Sequence, residues 1–182
     1  MDGRPVECSD DRYRTDLVSF SIENSQQAHP ALLRDWRATP PTPIPGVPET
    51  LAQLRNSGIK VALTTGFDRS VGDGLLAVPG WGDELDAVVC VDDVRAGRPA
   101  PFMIHRAMEL TGVRNVCRVL TAGDTVRDLE AGTNAGAGFV VGVLSGSQTE
   151  QELSTADHTH LLGSVAEIPA LVQSGGVAQL LR

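Results

Sequence analysis

The chain has 182 residues, with 15 Lys and Arg against 23 Asp and Glu, a formal net charge of −8. That balance argues against nonspecific nucleic-acid or membrane-surface binding, which needs a basic face. It leaves a phosphate substrate open, because local residues and a metal can invert the field at one site. Apolar residues make up 41% and aromatics 4%, so one domain-sized core is expected, built mainly from Val, Leu, Ile and Ala. No apolar run approaches the roughly 18 residues of a membrane span, and the N-terminus lacks a signal-peptide pattern. A soluble, cytoplasmic protein is expected. Cys8, Cys90 and Cys117 are odd in number and lack CxxC spacing; Cys90 and Cys117 sit in apolar runs. They are expected to be reduced thiols.

In chain order, residues 1–43 form a polar N-terminal segment whose one apolar patch is 17–22, with a short helix expected at 29–38. Pro40, Pro41, Pro43, Pro45 and Pro48 then crowd nine positions and mark a stiff boundary. From residue 44 the pattern becomes regular. Helices are expected at 48–57, 70–77, 100–111, 125–135 and 165–174, with Gly58, Gly112 and Gly136 as stops. Strands are expected at 59–64, 86–91, 117–122 and 138–143, with a weaker one at 159–162. The strands are continuous apolar runs, the mark of a parallel sheet buried on both faces. The expected fold is therefore α/β, a three-layer, doubly wound parallel sheet over 44–182. In such sheets the site lies beyond the C-terminal ends of the strands.

Three strand ends carry chemistry. After the first regular strand comes Thr64-Thr65-Gly66. Two hydroxyls and a glycine amide there can bind phosphate oxygens, or simply form a turn. After the second comes Asp93-Val94-Arg95-Ala96-Gly97-Arg98-Pro99. Arg98, just before a helix, can neutralise a phosphoryl group and neighbouring carboxylates, or be a solvated loop arginine. After the third comes Gly123-Asp124-Thr125-Val126-Arg127-Asp128. Asp124 suits a hard cation such as Mg²⁺, with Asp128 one helical turn on; equally, the pair could cap the helix.

Taken in order over roughly 44–147, these three motifs resemble those of the haloacid dehalogenase (HAD) superfamily, and the Ala96-Gly97-Arg98-Pro99 setting is similar to its phosphonatase branch. The resemblance implies a HAD Rossmann-like core and Mg²⁺-dependent phosphoryl hydrolysis of a small phosphorylated metabolite. An aspartate on a central first strand would form an aspartyl-phosphate that water then hydrolyses. Carried over, Asp124 is the metal ligand and Asp128 supports the metal shell. Thr65 with the amide of Gly66 holds the phosphate, or Thr64 if the register differs by one, and Arg98 balances charge.

The sequence departs from the family at its first motif, since no DxDxT or DxAGT string follows an apolar strand. The one upstream candidate, Leu17–Ile22, puts Ser21 at the aspartate position. Either this run fills the central slot, or the flanking strands pair directly, or the chain is a fragment. A catalytically impaired binding protein and a truncated product therefore stand beside the hydrolase reading. The cap, expected between the first motif and the Pro-rich boundary, would be reduced or missing. In the phosphonatase branch a cap lysine forms a Schiff base with an aldehyde substrate. The single lysine, Lys60, starts a strand, at the end opposite the site. His158-Thr159-His160 is a weaker metal candidate, more often an ordinary edge strand. Neither a nucleic acid nor a membrane is expected as partner; oligomeric state is open, a homodimer included.

Overall fold

The computed structural model describes residues 15–22, 44–76 and 85–173. The expected helix at 29–38 and the cap region fall outside these residues. The elements are β1 (Leu17–Ile22), α1 (Val47–Asn56), β2 (Lys60–Thr65), α2 (Arg69–Leu76), β3 (Ala87–Cys90), α3 (Phe102–Thr111), β4 (Val119–Gly123), α4 (Val126–Ala135), β5 (Phe139–Val143), α5 (Glu150–Leu153), β6 (His160–Leu162) and α6 (Ile168–Gln173).

All six strands pair in parallel, in the order β3-β2-β1-β4-β5-β6. β4 and β5 are buried at every position, and β2 at every position after Lys60. This is the double-faced burial that their apolar runs predict. One face packs Val18, Val61, Leu63, Leu120 and Val141 against Leu51 and Leu54 of α1 and Ile168 of α6. The other packs Leu17, Ala62, Val89 and Val119 against Met103, Ile104 and Ala107 of α3 and Ala131 and Ala135 of α4. The result is the three-layer doubly wound sheet expected from the sequence.

Leu17–Ile22 fills the central slot. Leu17 stands opposite both Lys60 and Val119, so β1 supplies backbone partners to β2 and β4 at once. Without it, two buried strands would lose a ladder.

Boundaries shift for local reasons. The residues 116–118 form a 3-10 turn, so β4 starts at Val119 and runs through Gly123. Val91–Asp93 is a second 3-10 turn, because the Asp93 carboxylate takes the Cys90 N–H at 2.7 Å and ends β3 there. Gly112 and Gly136 close α3 and α4 in the left-handed conformation. The short α5 was not among the expected helices. Its signal is Thr149 three residues before Glu152, a capping box whose hydroxyl and carboxylate exchange bonds.

Two expectations are corrected. Cys117 is disulfide-bonded rather than reduced, whereas Cys90 is a buried free thiol. Asp124 is not the cap of α4: Thr125 is, paired with Asp128. No described helix is long and apolar enough to cross a membrane.

Candidate active site

The C-terminal ends of β1, β2 and β4 meet at one mouth. Parallel register sets Ser21 opposite Thr64 and Phe20 opposite Ala122. Side chains alternate across a strand. Ser19 and Ser21 therefore share the sheet face that Thr64 and Thr121 occupy on the neighbouring strands. This polar end of the face continues the apolar end that packs α3 and α4.

Arg98 enters here from the loop before α3. Its Nη1 donates to both Ser21 Oγ and Asp128 Oδ1. Arg98 and Asp128 are both buried, at 8% and 6% exposure. A charge so buried is tolerated because it is paired and hydrogen-bonded. Asp128 is further satisfied by α4: its Oδ2 accepts the Thr125 N–H at 3.0 Å and the Thr125 hydroxyl at 2.7 Å. One carboxylate thus serves both as helix cap and as counter-ion. Two α4 side chains fix the Arg98 loop. Arg127 Nη2 donates to the Arg98 carbonyl, and Asn134 Nδ2 to the Pro99 carbonyl at 2.9 Å. The Arg98–Pro99 peptide is cis. Ser19, Ser21, Thr64, Arg98, Thr121 and Asp128 line a cavity of about 10 Å³, room for one water molecule.

The threonines of the first motif divide their work. Thr64 Oγ1 donates to the Phe20 carbonyl at 3.2 Å and faces the Arg98 chamber. Thr65 Oγ1 accepts the Phe67 N–H at 3.2 Å and braces the turn that contains Gly66. Asp124, half-buried just past the end of β4, bonds to the loop after β5. Its Oδ2 accepts the N–H of Ser147 at 2.7 Å and the Ser147 hydroxyl at 3.0 Å. The next residue, Gln148, takes the Val126 N–H at 2.6 Å and so covers the start of α4. The mouth collects Ser21, Thr64, Arg98 and Asp128, and Asp124 follows Gly123, which also lines it. Among the described residues, no group of three or more His, Cys, Asp or Glu forms a metal-binding cluster. Among the described residues, the hydrogen bonds of His158 and His160 are local, to the Ala156 carbonyl and to Thr159.

The contacts that sequence reasoning missed are those of Arg127, Asn134, Ser147 and Gln148. None is an unusual residue for its place, and each acts on a backbone group or on a neighbouring motif. The other candidate chemistry is remote. Lys60 Nζ pairs with Asp86 at 3.0 Å at the start of β2, opposite the mouth.

A doubly wound parallel sheet with a buried arginine and two aspartates beyond its strand ends is a Rossmann-like α/β fold with polar side chains gathered where such folds bind ligands. The profile of haloacid dehalogenase-like hydrolases matches residues 9–142, and the chain belongs to that family. A phosphonoacetaldehyde hydrolase from Parabacteroides distasonis is 32% identical over 72% of this chain and 59% of its own length. One from Bacillus cereus (strain B4264) is 42% identical over 66% of this chain and 47% of its own. The chain thus spans about half the length of these relatives. Among solved structures, a HAD family hydrolase from Deinococcus radiodurans, with bound phosphate and sodium, superposes with TM-score 0.71. It shares 20% identity and is covered over 98%, against 91% of this chain. A phosphonoacetaldehyde hydrolase like protein from Oleispira antarctica superposes with TM-score 0.64 at 25% identity, over 74% of this chain and 57% of that one.

Proposed function

We propose that the chain acts on a small phosphorylated metabolite at the mouth above Ser21, by Mg²⁺-dependent phosphoryl hydrolysis. The observation that carries this reading is the convergence of Ser21, Thr64, Arg98 and Asp128 at one strand-end mouth, with Asp124 next in the chain after Gly123 of its lining. In this reading the Thr65–Gly66 turn, or Thr64, holds phosphoryl oxygens, and Arg98 opposes the phosphoryl charge. Asp128 keeps Arg98 oriented.

The donor set suits Mg²⁺ in one way. Mg²⁺ keeps several waters and uses one or two carboxylates plus substrate phosphate. Asp124 supplies one such carboxylate: among the described residues its Oδ2 holds Ser147 and its Oδ1 makes no hydrogen bond. When bound, the ion would offset charge building on the phosphoryl oxygens. Purified protein assayed with an aryl phosphate and Mg²⁺ should turn over, and the Asp124→Asn variant should not. Equal background rates for both would reject hydrolysis.

A second reading, binding without turnover, is favoured by Ser21. Its hydroxyl, bonded to Arg98, stands where the family resemblance expects the attacking carboxylate. A serine cannot form an acyl phosphate, and loss of a covalent nucleophile can cost on the order of 10⁶ in rate, by analogy with serine hydrolases. Calorimetric binding of phosphate or Mg²⁺ with no turnover would select this reading; failure to bind either would reject both. The aldehyde chemistry implied by the relatives' name is not proposed, because the one lysine of the sequence is Lys60.

A further inference from the structure

The loop after β5 is built against Asp124. Gly146 passes so close that a Cβ there would lie 2.1 Å from both Asp124 Cβ and Oδ2. The Ser147 N–H and hydroxyl both donate to that same Oδ2. Gln148 anchors the loop's far side on the Val126 N–H. Three successive residues thus grip the segment 124–126, and one of them, Ser147, places two donors on one oxygen.

Two donors on one oxygen have a chemical consequence. They fix the rotation of the carboxylate and reduce the share of Oδ2 lone pairs left for a cation. Oδ1, which makes no hydrogen bond among the described residues, is the oxygen left to coordinate. A carboxylate held this way is a one-oxygen ligand. Mg²⁺ demands compact octahedral geometry that single oxygens satisfy; Ca²⁺ takes more ligands and readily binds a carboxylate through both oxygens.

We infer that Ser147, packed in place by Gly146, is a specificity-determining positioning residue that holds Asp124 in one-oxygen coordination and so favours Mg²⁺ over Ca²⁺. This rests on the proposed role of Asp124 as metal ligand. Ser147 touches neither the phosphoryl group nor the reacting atoms in this scheme; it acts through Asp124. It is exposed, so its replacement should leave the fold intact.

The test is calorimetric titration of the whole chain with Mg²⁺ and with Ca²⁺, each in the presence of inorganic phosphate. The wild type should prefer Mg²⁺. Ser147→Ala, which loses the hydroxyl, should shrink the Mg²⁺-to-Ca²⁺ affinity ratio by about tenfold, a change of about 1.4 kcal/mol. The shift should come mainly from tighter Ca²⁺ binding. Ser147→Thr, which keeps both donors, should restore the ratio. Gly146→Ala, which pushes directly on Asp124, should move it in the same direction as Ser147→Ala. A ratio unchanged in folded Ser147→Ala and Gly146→Ala would overturn the inference while leaving Asp124 as a ligand. Cation binding that survives Asp124→Asn, or no cation binding by the wild type, would instead overturn the metal role of Asp124 and the inference with it.

Discussion

Arg98 and Asp128 form an ion pair whose side chains are 7% and 4% exposed, so neither charge can fall back on water if the other is removed. Breaking such a pair from one side costs about 3–5 kcal/mol, whereas replacing both partners by apolar residues of similar volume is often neutral. Asp128→Ala and Arg98→Met should each lower stability by that amount. Asp128→Ala should be the worse, since it also removes the cap partner of Thr125. The double variant Arg98→Met/Asp128→Ala should cost clearly less than the sum of the two. Guanidinium unfolding of all four proteins gives the coupling directly. Single variants that cost under about 1 kcal/mol would contradict a buried, mutually dependent pair.

The sequence makes these elements legible to different degrees. β2, β4 and β5 could be read from their unbroken apolar runs, because burial on both faces leaves no alternation to confuse. Arg98 and Asp128 could be named from their places after strands. Their contact could not, since 30 residues separate them and only the fold joins them. β1 was ambiguous for a different reason. Its two serines, Ser19 and Ser21, break the apolar run, and they do so because they line the polar end of the sheet face under Arg98. Capping by Asp124 stays open in the sequence because Asp is as good a cap residue as Thr or better; the tight Gly146 approach, invisible in sequence, commits Asp124 to the neighbouring loop and leaves the cap to Thr125.

Thr125 offers a milder test of the same helix start. Its hydroxyl donates to Asp128 Oδ2 at 2.7 Å and accepts the Asp128 N–H at 3.4 Å. Thr125→Ala should cost about 0.5–2 kcal/mol, while Thr125→Ser should cost little. Urea midpoints decide it. Equal midpoints for the alanine and serine variants would mean that the hydroxyl does not contribute as a cap.

Two glycines should fail for different reasons. A Cβ on Gly138 would lie 1.9 Å from the Cys117 carbonyl oxygen, a backbone atom with no side chain to swing away. Gly138→Ala should therefore push β5 off the turn before β4, at a cost of about 3 kcal/mol or more. Gly136 has open space, its nearest neighbour being Val116 Cγ1 at 3.8 Å, but its φ is 76°. Gly136→Ala should cost only the backbone strain, about 1 kcal/mol. Thermal or denaturant unfolding should rank Gly138→Ala well below Gly136→Ala; the reverse order would refute the close approach.

Cys90 supplies a pH dependence with a definite sign. The side chain is fully buried at the end of β3, and burial pushes its thiol from 9.0 up to about 11, with the nearby Arg69 pulling the other way. In the folded protein the thiol therefore stays protonated between those values, while in the unfolded chain it ionises. The unfolded state then binds fewer protons, so stability falls as pH rises. The contribution is fully present below pH 9 and is lost on the way to pH 11. Denaturant midpoints measured from pH 8 upward should fall more steeply for the wild type than for Cys90→Ala. The alanine variant starts lower because it leaves a small void beside Gly72, so the slopes carry the test rather than the absolute values. Parallel slopes would show that the thiol ionises equally in both states, and that burial at β3 does not hold its proton.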